Sequence, residues 1–142
     1  MTTRTKNANG MTPDLGLEAE ARDGVVQTLC TVLADAHVLY IKLRKYHWNV
    51  TGPQFHSLHE LFEEQYTAMA TTIDEIAERI LQYGASAPGS MQQFVDMARL
   101  QEDATDGLSI DAHAMVEQIV ADHEAVVRNL RDDIERVGEE LE

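Results

Sequence analysis

The chain has 142 residues, enough for one domain with a modest core. It carries 25 Asp and Glu against 11 Lys and Arg, a formal net charge of −14, which repels nucleic acid and anionic membrane and attracts cations. The acidity is uneven: residues 101–142 hold 13 acids and 3 Arg, and this reads as the solvated face of a helix.

Residues 1–16, MTTRTKNANGMTPDLG, have no apolar export core and read as a flexible arm ahead of one helical domain over 17–142. No apolar stretch is expected to reach the ~20 residues of a membrane span. With Cys30 as the single cysteine there is no internal disulfide; a buried, inert thiol in a cytoplasmic protein is the expectation.

Three long helical patterns follow. In the first, about residues 17–47, Val25, Leu29, Val32, Leu33, Ala36, Leu39, Tyr40 and Leu43 recur at three- and four-residue steps. Thr51-Gly52-Pro53 breaks it. The second, about 55–84, carries Leu58, Leu61, Phe62, Met69, Ile73, Ile76, Ala77 and Ile80, with Gly84 placed to end it. The connection from Ala85 to Leu108 is too long for a hairpin; it suits a bundle crossover with a short helix from an Ser90 N-cap through Leu100. Ser109 or Asp111 caps a third long helix bearing Met115, Val116, Ile119, Val120, Val127, Leu130, Ile134 and Val137. Nothing reads as a strand, so the expected fold is all-α.

The chemistry concentrates in His47, His59, Glu63, Asp74 and Glu78. The last four share one face of the second helix, within an arc of about 100°. Along the axis, however, Asp74 lies about 22 Å from His59 and about 16 Å from Glu63. No single metal centre spans that distance with ligand bonds near ~2 Å. An antiparallel second copy would bring Asp74 and Glu78 of one chain opposite His59 and Glu63 of the other, twice across a two-fold axis. Both i,i+4 pairs can converge on an ion, and His47 can fold back over the same face. Imidazole with carboxylate suits Fe, Mn or Zn. A di-iron site inside one bundle would use Glu-x-x-His pairs, and none of the six histidines has Glu three residues before it.

The segment from Lys45 to Arg79, with HWNVTGPQFHSLHELFEEQY and DEIAERI, resembles the Dps family of miniferritins (DNA-binding proteins from starved cells). The resemblance implies a ferritin-like bundle with a long crossover and a ferroxidase site at His47, His59, Glu63, Asp74 and Glu78. Asp74 and Glu78 come from the two-fold-related subunit. Glu63 departs from the Asp often found at its position. Trp48 beside His47 is implied to lie near the iron, and His56, one turn before His59, is a candidate accessory ligand. The family usually has a fourth long helix after the third, and a bundle lacking that last helix is the expectation here. The implied function is oxidation of Fe²⁺ by hydrogen peroxide or oxygen and storage of ferric mineral inside a hollow homo-oligomer, a dodecamer. Zinc is a possible substitute for iron.

Two rival functions remain at this point: a nucleoid protein that condenses DNA, and a structural helical oligomer with a non-redox metal site. Duplex DNA binding needs cations against phosphates, and the arm offers only Arg4 and Lys6.

Overall fold

The computed structural model describes residues 12–141. Most of the expected arm lies outside them, and residues 12–18 precede the first helix without regular structure. Four helices follow: α1 (Ala19–Asn49), α2 (Phe55–Gln82), α3 (Met91–Met97) and α4 (Ala112–Glu140), with no strand among the described residues. The fold is all-helical among the described residues. Among the described residues the long helices number three, as expected.

Each boundary has a local cause. α2 ends where Gly84 takes a left-handed φ of 84°. The Gly84 N–H then reaches the Leu81 carbonyl, the Ala85 N–H reaches that of Ile80, and Ala85 is buried in the same cluster as Ile80. α3 opens on a reciprocal capping box between Ser90 and Gln93. Of the two expected caps for α4, Asp111 is the one used, its carboxylate accepting from the Ala114 N–H at 2.8 Å.

α1 is the centre of the bundle, with α2, α3 and α4 all packing on it. Its buried residues therefore occupy more than one face, and they include Arg22, Asp35 and Lys42 as well as the apolar stripe. Ala19–Asn49 also contains an 18-residue window of mean hydropathy 1.4, long and apolar enough by composition to cross a membrane. That corrects the expectation that no stretch comes near a span. Covering by three neighbouring helices accounts for its apolarity.

The crossover carries α4 back beside the far end of α1. Lys42 pairs with Asp122, Thr28 accepts from Arg136, and Glu140 lies against Gly24, so α4 runs antiparallel to α1 and parallel to α2. Asp35 holds the crossover in place: its carboxylate accepts from the backbone N–H groups of Arg99 and Leu100 at 2.6 and 3.0 Å. The Arg99 guanidinium bridges Asp35 to Asp133 on α4, bidentate to the latter at 3.0 Å. Cys30 is half-buried rather than buried, and burial pushes its thiol pKa up, away from the reactive thiolate.

Two expectations about apolar stripes need correction. Leu61 on α2 is exposed, as are Val120, Val127, Leu130 and Ile134 on α4. The core side of α4 is instead Met115, Ile119, Asp122 and Asp133. The apolar pattern of α4 is wider than one face, and among the described residues no element covers the surplus. Nor is the acidic C-terminal third wholly solvated, since Asp122 and Asp133 are buried in ion pairs.

The Lys42–Asp122 pair, 2.7 Å long, is buried on both sides. Lys42→Met strands a buried carboxylate and is expected to cost about 3–5 kcal/mol in urea unfolding. The double variant Lys42→Met/Asp122→Leu recovers most of that loss, because the uncompensated charge is gone.

Asp103 supplies a pH dependence. Burial pushes its carboxyl up, but the Tyr46 hydroxyl, the Thr105 N–H and the Lys45 charge outweigh burial and hold the pKa at about 2. The folded pKa lies below the ordinary value of 3.8. The stabilisation is therefore complete above that value and is lost as pH falls through the folded pKa. We expect roughly 2 kcal/mol to disappear between about pH 4 and pH 2. Asp103→Asn should flatten that part of the stability–pH curve.

Candidate metal-binding site

His47 lies in the last turn of α1 and His59 in the second turn of α2, on either side of the Val50–Gln54 connection. The two imidazoles stack with centroids 3.7 Å apart and planes 18° from parallel. Each ring also bonds the other's main chain: His47 Nδ1 lies 2.6 Å from the His59 carbonyl, and His59 Nδ1 lies 2.7 Å from the His47 carbonyl. A carbonyl only accepts, so each Nδ1 carries the proton and donates. In the neutral form of each ring Nε2 then keeps a lone pair. This is the tautomer a histidine needs to bind a metal through Nε2, with the ring orientation fixed by a main-chain partner.

Aromatic neighbours pack this clasp. Phe55 stacks on His59 at 5.0 Å, and the Tyr66 ring meets His47 edge-on at 5.2 Å. His47 is buried and His59 half-buried. Behind it, the Tyr46 hydroxyl donates to Asp103 at 2.6 Å, while Lys45 donates to the Asp103 and Thr105 carbonyls. These bonds anchor the end of α1 to the crossover. Burial and Asp103 push the Tyr46 phenol well above its ordinary pKa, so it stays a donor.

The structure therefore brings His47 and His59 together. Glu63 stands one turn further along α2 and is exposed. Asp74 and Glu78 are exposed much farther down the same unbroken helix, about 22 Å or more from His59 by helical rise. Among the described residues, no three His, Cys, Asp or Glu side chains of one chain cluster as a metal site. Trp48 is 62% exposed, with the Arg44 guanidinium 4.7 Å above its ring. His56 is exposed and pairs with Glu60 at 3.3 Å. Sequence reasoning missed Tyr66 as a neighbour of the site. Its place seven residues after His59 puts it on the same helix face, and that spacing was the available signal.

Residues 26–141 match the Ferritin family, described as a ferritin-like domain. The chain is thus a ferritin-like protein. Among curated relatives, a low temperature-induced protein of Nostoc sp. is 46% identical over 129 residues, covering 91% of this chain and 71% of that protein. DNA protection during starvation protein 2 of Bacillus anthracis is 43% identical over 111 residues, covering 78% of this chain and 74% of that protein. Of solved structures, the Dps protein of Vibrio cholerae O1, described as belonging to a broad superfamily of ferritin-like diiron-carboxylate proteins, superposes with a TM-score of 0.81. Its identity is 32%, covering 93% of this chain and 82% of that one. The chain belongs to the Dps family of miniferritins.

The clasp predicts a spectroscopic signature. In ¹H–¹⁵N spectra of metal-free protein near neutral pH, His47 and His59 should both show the Nδ1–H tautomer. An Nε2–H pattern at either ring would mean that its metal-binding nitrogen is not free.

Proposed function

We propose that the chain is an iron-oxidising, iron-storing miniferritin whose site is completed by a second subunit. The observation that carries this reading is the reciprocal histidine clasp, which orients the two Nε2 atoms through main-chain bonds, with Glu63 one turn beyond His59 along α2. Fe²⁺ is the substrate. His47, His59 and Glu63 of one subunit would bind it, with Asp74 and Glu78 of the partner subunit supplying the remaining carboxylates across a two-fold axis. An antiparallel α2 pair gives this arrangement twice, and α2 runs unbroken over 28 residues that include both halves.

The donor set fits the reaction. Imidazoles bind Fe²⁺ without adding charge, and the carboxylates favour the more highly charged Fe³⁺. Two iron ions at one site each give one electron, so hydrogen peroxide is reduced by two electrons: two Fe²⁺, one H₂O₂ and two protons give two Fe³⁺ and two waters. No hydroxyl radical is released. Oxygen is the alternative oxidant. The net charge of −14 draws ferrous ions toward the protein and opposes DNA. A cytoplasmic dodecameric shell holding ferric mineral completes the proposal.

Complementation tests the shared site. His47→Ala/His59→Ala and Asp74→Ala should each slow peroxide-driven Fe²⁺ oxidation at least about tenfold with helix content retained. Mixing the two variants in one dimer rebuilds one complete site of two, and activity should return toward half. A mixture no faster than its parents, with mixed dimers shown by mass, would overturn the sharing.

A further inference from the structure

α1 ends without the left-handed cap that closes many helices. Its C-cap, Val50, is extended (φ −62°, ψ 139°), and the residue after it is Thr51 rather than a left-handed glycine. The Val50 N–H takes the Tyr46 carbonyl, so the His47 carbonyl lies beyond the last helical bond. That carbonyl is the acceptor of the His59 Nδ1–H at 2.7 Å. The His59 carbonyl, in contrast, lies inside α2, where it receives the His47 Nδ1–H at 2.6 Å. One side of the clasp therefore depends on where an uncapped helical turn puts its carbonyl, and such turns fray.

Residues 103–107 of the crossover grip this turn at Lys45, Tyr46 and Asn49. Tyr46 is fully buried and donates its hydroxyl to Asp103 Oδ2 at 2.6 Å. Lys45 Nζ donates to the Asp103 carbonyl at 2.7 Å and to that of Thr105. The Asn49 amide donates to the Lys45 carbonyl at 2.8 Å, and its side chain packs so closely on Gly107 that a Cβ there would overlap it. The gripping segment has order of its own. Asp103 Oδ1 accepts from the Thr105 N–H at 2.9 Å, and Asp106 Oδ1 from the Leu108 N–H at 2.8 Å. Asp103 thus spends one oxygen on the helix and one on the loop.

We infer that Asp103 is a positioning residue for the histidine clasp: through Tyr46 it holds the last turn of α1, and with it the carbonyl that fixes the His59 ring. Its side chain bonds Tyr46 and Thr105, so it acts on the imidazoles only through the main chain of the turn. Tyr46 and His47 are consecutive, and a turn that rotates away from Asp103 carries the His47 ring and carbonyl with it. Removing the outer partner of a metal-binding histidine weakens metal affinity about 10- to 100-fold. A contact one step further out belongs at the low end of that range. The inference rests on the metal-site reading only for this effect on affinity, because ring geometry is a property of the metal-free protein.

Tyr46→Phe and Asp103→Ala are compared with the unaltered chain and with Ser90→Ala, which loosens the α3 cap and leaves the turn untouched. Circular dichroism checks helix content, and Tyr46→Phe, which keeps the buried ring, carries the test if Asp103→Ala fails to fold. In ¹H–¹⁵N spectra of metal-free protein, solvent exchange of the His59 Nδ1–H should rise at least about tenfold in Tyr46→Phe and Asp103→Ala and stay unchanged in Ser90→Ala. Zn²⁺, a probe without redox chemistry, should bind both clamp variants about tenfold more weakly by calorimetry, with unchanged stoichiometry. A His59 Nδ1–H that exchanges at the unaltered rate in Tyr46→Phe overturns the positioning role, even where the amides of residues 101–109 exchange faster. An equal rise in Ser90→Ala also overturns it, since that marks general loosening. If the unaltered chain binds no Zn²⁺ yet the clamp variants release the His59 proton, the metal reading fails and the positioning role stands.

Discussion

A buried carboxylate on the central helix directs the path of this chain. Asp35 sits near the middle of α1 and accepts two main-chain N–H groups from the point where the crossover arrives. An ionised carboxylate is stable there only because those donors and Arg99 surround it. Arg99 then extends the arrangement to Asp133, and α4 must lie within reach of that guanidinium. The direction of α4, its contact with α1 and the return of the crossover past Tyr46 all follow. An acidic chain thereby uses its scarce cations as internal connectors.

The candidate site depends on two different kinds of rigidity. At one end, main-chain carbonyls hold the two imidazoles, so ring orientation does not rely on a long side chain finding its place. Along α2, 28 uninterrupted residues fix the offset between the histidine end and the Asp74/Glu78 end. A kink would change that offset, and Pro is absent from the helix. The spacing that rules out a single-chain metal centre is thus the spacing that a symmetric pair of helices requires.

Much of this was legible in the sequence because periodicity and capping are local. Helix order, the break at Thr51–Pro53, the Gly84 terminus and the Ser90 and Asp111 caps depend on residues within a turn of each other. The clasp between His47 and His59 was not legible, since it rests on carbonyls that face the rings only after the α1–α2 turn closes. The burial of Asp35, Lys42, Asp122 and Asp133 was hidden for a related reason. The partners that tie them to other elements lie 34 to 80 residues away, and a charged residue carries no mark of such a partner. Ile134 shows the converse: it is an apolar residue at helical spacing that is 72% exposed, because helical spacing says which residues share a face and not what covers it.

The internal ion pairs also change how the surface charge is read. Lys42 and Arg99 are committed to buried carboxylates, Lys45 to the crossover and Arg44 to the faces of Tyr40 and Trp48. The acids of α2 that face outward, Glu60, Glu63, Glu64, Asp74, Glu75 and Glu78, have Arg79 as the one cation on their own helix. Near this helix the field is therefore more negative than the composition of the whole chain conveys. Such a field concentrates cations near this helix, while repelling phosphate. Packing thus consumes positive charge in the interior, and what remains outside along α2 is an acidic helix.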